Sequence, residues 1–261
     1  MLQEERFSQI IAFIQGKKRV TLDELAKLTG VSAGTVRRDV KKLEESGVLT
    51  LVRGGVALRS EGLARQSFDL RNIDNKGEKQ QLAQLVSEVV FDGQTIALNS
   101  GTTNLMIADF LVSHYRNLTV ITNNLRIINI LKAGNNFTLV LPCGIFDPEE
   151  YSVIGSRCEA EILNYAPDAV LLAVNALSLS KGVTDFRLFE AGIAQSMLRV
   201  SKTKIVVADH TKFDRISCMK ICDISDLDYI LTDELVTKRQ AEEYEACGVR
   251  VLTPKREAEK I

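Results

Sequence analysis

Between positions 32 and 42 the chain sets Ser32, Gly34, Thr35, Arg37, Arg38, Lys41 and Lys42, two hydroxyls and four cations around a glycine. Hydroxyls and forked guanidiniums at helical spacing suit the base edges and phosphates of a nucleic acid. Arg38 suits either a bidentate contact to guanine or a grip on phosphate; its residue type allows both. A second run, Asn99-Ser100-Gly101-Thr102-Thr103, is small and hydroxyl-rich and leads into a helical pattern. The free amides and dipole of a helix start favour an anion, and a lysine nearby, Lys212, suits phosphate on a small polyol. Asn123, Gly144 and Asp209 follow other short apolar runs, where amide and acid groups would hold the hydroxyls of the remainder. The competing reading of Ser100 or Thr103 is a plain helix cap.

The first cluster needs a helix to present it. Phe7, Ile10, Ile11 and Ile14 make one apolar stripe, closed by Gly16 and the Lys17-Lys18-Arg19 cations. Thr21-Leu22-Asp23-Glu24 reads as a capping box opening a short helix with Leu22, Leu25, Ala26 and Leu28 inward, ended by Gly30. Ser32 caps a third helix whose inward face is Val36, Val40 and Leu43, closing at Gly47. Two helices across the Gly30-Val31-Ser32 turn make a helix-turn-helix. Val48–Val52 and Val56–Leu58 around Gly54-Gly55 then read as a hairpin wing, with Arg53, Gly54 and Gly55 placed to touch phosphate. The bland alternative is a protein-docking module with a solvated charged face.

Charge follows the same division. Residues 1–60 hold eleven Lys/Arg against seven Asp/Glu, a net of +4, and the remainder of the 261 residues is −5. A basic small segment on an acidic larger one suggests that only the first meets a polyanion. The organisation expected is a DNA-binding domain at 1–58, a linker at 59–77 with Phe68 and Leu70 anchoring it to the larger body, and a sensing and oligomerising domain at 78–261.

From Glu78 a helical pattern runs through Leu82, Leu85, Val86, Val89 and Val90. Strands are expected at Thr95–Leu98, Thr119–Thr122, Thr138–Leu141, Ala169–Val174, Lys204–Ala208 and Tyr229–Leu231, with helices at Leu105–Val112 and Leu125–Lys132. Short buried strands alternating with helices imply an α/β fold with a mostly parallel sheet, and such sheets bind ligands beyond the carboxyl ends of their strands.

The stretch Val31 to Val40, with Leu43, Gly47, Val48, Leu49 and Arg53-Gly54-Gly55-Val56, resembles the DeoR-type bacterial transcription regulators, whose recognition helix reads Ser-x-x-Thr-Ile-Arg-Arg-Asp-Leu before a Gly-Gly wing. The resemblance continues through Arg71, Glu78-Lys79, the Asn99–Thr103 loop, Val120–Asn123, Gly144, Gly182-Val183-Thr184, Glu190, Ala208–Phe213 and Thr232-Asp233. It implies a sensor half, similar in fold to ribose-5-phosphate isomerase and the CoA-transferases, that binds a phosphorylated sugar or related metabolite and changes operator affinity. It also adds Glu190 to the effector-binding set. The sequence departs from the family at Asn99, where Asp is usual, at Cys143, commonly Gly, and at Asn175-Ala176-Leu177.

Double-stranded operator DNA, a phosphorylated effector and a second copy of the chain are thus the expected partners, since dimeric readers span paired half-sites. An isomerase- or transferase-like enzyme with an accessory DNA-binding head, using Glu190 and Lys212 as acid and base, is the alternative. No catalytic residue, metal or cofactor is expected, because Cys218-x-x-x-Cys222 lacks a second ligand pair. Cys143 reads as a buried or merely small residue near the site, with a reactive thiol as the alternative. An acidic start, no apolar run of roughly 18 residues and five scattered cysteines suggest a cytoplasmic protein with no membrane partner.

Overall fold

The computed structural model describes residues 3–14, 17, 19–45, 49–52, 54–58, 68–134 and 136–254. Gly16, Lys18, Gly47, Val48 and Arg53 lie outside the described residues, as do positions 59–67. The chain divides into two units at Asp74/Asn75.

The first unit contains α1 (Gln3–Ile14), α2 (Leu22–Thr29), α3 (Ala33–Glu45), β1 (Leu49–Val52), β2 (Gly55–Leu58) and α4 (Phe68–Ile73). Ile10, Ile11 and Ile14 of α1 meet Leu25, Val36, Val40, Leu43, Leu49 and Val56 in one core. The capping box forms as expected: Glu24 N donates to Thr21 Oγ at 3.2 Å, and Thr21 N donates to the Glu24 carboxylate at 2.8 Å. One inward assignment on α2 is corrected. Leu28 turns outward, and Thr29, a turn on from Leu25, is buried in its place. Its hydroxyl is satisfied by donating to Leu25 O at 2.7 Å. Phe68 is buried, and α4, which carries it, falls in the first unit beside α1.

β1 and β2 pair antiparallel, and Val20 adds an isolated bridge to Val56, with N···O distances of 2.7 and 2.8 Å. That bridge depends on Gly55, since a Cβ there would stand 2.3 Å from Val20 O. Gly54 makes the tight turn at φ +88°. Gly55→Ala should therefore destabilise the first unit by about 1–3 kcal/mol, read from its denaturant midpoint; an unchanged midpoint would mean the wing absorbs the methyl.

The second unit is built on seven strands in the order β14-β13-β11-β8-β3-β4-β5, every neighbouring pair parallel. They are β3 (Thr95–Leu98), β4 (Thr119–Thr122), β5 (Thr138–Val140), β8 (Ala169–Ala173), β11 (Thr203–Val207), β13 (Tyr229–Leu231) and β14 (Arg250–Leu252). α5 (Lys76–Leu85) precedes the first of these strands, and the crossovers include α6 (Thr102–His114), α7 (Leu125–Leu131), α8 (Ser156–Ile162), α9 (Leu188–Val200) and α10 (Lys238–Glu245). α6 begins three residues before the expected Leu105, at the hydroxyl run itself. Two smaller antiparallel pieces were not anticipated. One is the hairpin of β6 (Ile145–Asp147) and β7 (Ser152–Ile154); the other joins β9 (Ala176–Ser178), β10 (Gly182–Asp185) and β12 (Met219–Cys222).

Candidate functional site

On α3 the inward row is Val36, Val40 and Leu43, all buried, while Ser32, Gly34, Arg37, Arg38, Lys41 and Lys42 are exposed and Thr35 is half-buried. Ser32 caps the helix: its Oγ accepts from Thr35 N at 3.3 Å and meets the Thr35 hydroxyl at 3.0 Å. The Arg38 Nε reaches back to Gly34 O at 3.3 Å. Asp39, not singled out from the sequence, is buried and ties α3 to α1 through Arg6 at 2.7 Å and Gln3 at 3.0 Å. Those partners hold its carboxyl below the ordinary carboxylate range against the upward push of burial. Lys42 is partly committed as well, to the Gln3 side chain at 3.2 Å.

In the second unit the carboxyl ends of β3 and β4 meet the start of α9. Ser100 N donates to Asn123 Oδ1 at 3.0 Å, and Asn123 Nδ2 donates to both Glu190 oxygens at 3.1 and 3.3 Å. Ser152 Oγ also donates to Glu190. Burial pushes the Glu190 carboxyl up to about 7, with Arg187, Ser152 and Asn123 pulling it down. Arg187, absent from the expected set, is the centre of the arrangement. It binds Asp185 through Nε at 3.0 Å and Nη2 at 2.7 Å, and Glu150 and Ser100 O through Nη1 at 3.3 and 2.9 Å. Its neighbours hold its proton more firmly than usual. Tyr151 takes a left-handed φ of +54°, and on either side of it Glu150 and Ser152 both reach this cluster.

Gly101 precedes α6 because no side chain fits: a Cβ would stand 2.4 Å from Ala173 Cβ. Thr102 and Thr103 follow, buried in the first turn, where the backbone amides have no intrahelical acceptor. Asn99 is committed elsewhere. Its amide donates to Ala173 O at 3.0 Å and accepts from Ala173 N at 2.8 Å, a reciprocal tie between β3 and β8 that a carboxylate lacks the donor to make. Gly144 opens the β6–β7 hairpin, where a Cβ would meet Ile154 O at 2.6 Å.

A second cluster follows β11. Asp209 caps the 3-10 turn His210–Lys212 and accepts from Thr211 N at 3.0 Å and Asn75 Nδ2 at 3.3 Å. Its Oδ2 is buried without a hydrogen-bond donor and faces Lys212 Nζ at 3.9 Å. Lys212 and Lys79 hold the Asp209 carboxyl below its ordinary range despite burial. Lys79 is a buried cation on α5 that the sequence reading left without a role, although a lysine on the row of Leu82 and Val86 already signals one. Cys143 is corrected: it is exposed, and Glu161 beside it pushes the thiol pKa up, away from thiolate chemistry. Among the described residues no helix is long and apolar enough to cross a membrane.

Comparison with known proteins agrees with both halves. Residues 6–61 match the DeoR-like helix-turn-helix domain and residues 74–234 the DeoR C terminal sensor domain. The HTH-type transcriptional repressor CsqR of Escherichia coli strain K12 is 28% identical over 253 residues, covering 97% of this chain and 96% of its own. The glycerol-3-phosphate regulon repressor of the same strain is 28% identical over 233 residues, 89% of this chain and 92% of its own. A ribose 5-phosphate isomerase A from Methanocaldococcus jannaschii aligns at a TM-score of 0.39 and 11% identity, over 54% of this chain and 55% of its own; the fold is read from the sheet order above. A reading helix with its cations outward, a parallel sheet with a polar carboxyl edge, and both domain matches lead to one conclusion: the chain belongs to the DeoR family of transcription regulators.

Proposed function

We propose that this protein is a repressor of a carbohydrate-catabolism operon, with operator affinity set by a phosphorylated sugar or related metabolite bound in its second unit. Ser32, Gly34, Thr35, Arg37, Arg38, Lys41 and Lys42 enter the major groove, and Arg53, Gly54 and Gly55 lie on phosphate. The effector phosphate takes the amides and hydroxyls of Ser100–Thr103 with Lys212, and the sugar hydroxyls go to Asn123, Glu190 and Asp209. The observation that carries the reading is the carboxyl edge of the large sheet: an anion-suited helix start lies there, and the buried, undonated Asp209 Oδ2 suits a ligand hydroxyl. The protein works in the cytoplasm as a homo-oligomer, and the effector acts by binding one arrangement of the paired heads more tightly than the other.

Thermal unfolding against a panel of sugar phosphates and their unphosphorylated parents tests it. A ligand at 100 times its dissociation constant should add about 2.7 kcal/mol if it binds only the folded chain. A hit confined to one phosphorylated sugar names the effector; a flat panel removes the sugar-phosphate reading and leaves the DNA-binding head. Arg38→Ala should weaken operator binding by about 10–100-fold in a mobility-shift titration and leave the effector-induced shift in melting unchanged. Unaltered operator affinity would take Arg38 out of the groove.

A further inference from the structure

Asn75 opens the second unit and stands in the two-residue link between α4 and α5. It takes the N-terminal cap position of α5 at a left-handed φ of +51°, a conformation that asparagine tolerates better than most side chains. An asparagine at a helix start ordinarily turns its side-chain oxygen onto the first free amides of its own helix. This one makes no such bond. Its Nδ2 donates instead to Asp209 Oδ1 at 3.3 Å, across 134 positions of sequence, and to the Thr211 hydroxyl at 3.4 Å.

The start of α5 is tied to the same edge of the parallel sheet in two further places. Lys79, one turn on from Asn75, is the buried cation that acts on the Asp209 carboxyl. Gln81 meets Glu234 beyond β13: its Oε1 accepts from Glu234 N at 3.2 Å, and its Nε2 donates to the Glu234 carboxylate at 3.4 Å. Asp209 therefore serves two sides at once. Oδ1 holds Asn75, and Oδ2, buried without a hydrogen-bond donor, is the oxygen left to a ligand.

We propose that Asn75, through its bond to Asp209, couples effector binding to the DNA-binding unit. This role rests on the effector reading above and supplies the route out of that site. A ligand hydroxyl on Oδ2, with a phosphate drawing Lys212 off the carboxylate, changes what Oδ1 offers Asn75. Asn75 has no side-chain bond to its own helix, and only Asp74 separates it from Ile73, the last residue of α4. A change at Asn75 thus falls on the backbone torsions of the link. Beyond the link α4 packs beside α1, and α1 grips α3 through the bonds of Gln3 and Arg6 to Asp39. Coupling between distant sites is carried by contiguous bonded and packed groups, and such a set runs from Asp209 to the reading helix.

Mobility-shift titration of operator DNA with the full chain is the test, run without ligand and with saturating ribose 5-phosphate, glucose 6-phosphate or glycerol 3-phosphate. Calorimetric titration gives the affinity of the chain for each probe. In the wild type a bound probe should change operator affinity by about 5–150-fold. Asn75→Gly keeps the left-handed backbone and removes the amide, so that ratio should fall to near one while the probe binds much as it does to the wild type. A purely structural role would lower the melting temperature and leave the ratio where it was, which would overturn the coupling and spare the effector reading. Should Asn75→Gly fail to fold, Asn75→Asp decides by the same ratio, because it matches asparagine in size and has no donor for Asp209. Probes that all fail to bind, or that bind without altering operator affinity in the wild type, would remove the effector reading and the coupling together.

Discussion

Arg187→Ala should cost the second unit about 3–5 kcal/mol, the penalty of leaving buried charge uncompensated. The guanidinium is the shared partner of Asp185 and Glu150, and it also holds the Ser100 carbonyl at 2.9 Å. Without it the buried Asp185 carboxylate loses the guanidinium that meets both its oxygens, and Glu150 loses one of its contacts. Arg187→Lys should recover only part of the loss, because an ammonium cannot fork onto both Asp185 oxygens while reaching Ser100. Urea unfolding at neutral pH measures this. A loss below about 1 kcal/mol, the range of an exposed pair, would mean the cluster relaxes and admits water. Effector affinity should fall in both variants, since the Ser100 turn loses its anchor.

Much of the reading head was legible because its pattern is local. The spacing of Val36, Val40 and Leu43 sets which face of α3 is outward, and Thr21 with Glu24 sets where α2 begins. Leu28 misled because residue type suggested an inward position, whereas the helical row from Leu25 leads to Thr29, whose hydroxyl can be satisfied on its own helix. Six of the seven parallel strands announced themselves as apolar runs; β14, three residues opening on an exposed arginine, was not among those expected. The short strands of the second sheet were not expected either, since three or four residues such as Ala176–Ser178 show neither length nor alternation. Asp185, the partner that fixes Arg187, stands at the end of one of these strands, outside the parallel sheet whose carboxyl edge directed attention to Ser100 and Asn123. The bond from Arg187 to Ser100 spans 87 positions, and that from Arg6 to Asp39 spans 33, so both are visible only after folding. Asn99 was noticed as a missing charge; its actual use, donor and acceptor to one backbone unit, depends on β3 lying beside β8.

Glu190→Gln should flatten the pH dependence of stability in the window between the ordinary carboxyl value of 4.5 and the buried value of about 7. The folded state binds this proton more tightly than the unfolded chain does, so the contribution is fully present below 4.5 and is lost as pH rises through about 7. Its size is about 3 kcal/mol, because the side chain is buried and burial is the largest cause of the shift. Asp209 and Asp39 titrate in the opposite sense and below 3.8, outside that window. Glutamine is neutral throughout and keeps an oxygen for Ser152, so variant and wild type should match in mild acid and diverge in mild alkali, with the variant the more stable. Parallel urea midpoints across the window would return Glu190 to an ordinary carboxyl. The same titration bears on ligand binding. A protonated Glu190 can donate to a ligand oxygen and an ionised one can only accept, so effector affinity in the wild type should change across pH 7 and in Glu190→Gln should not.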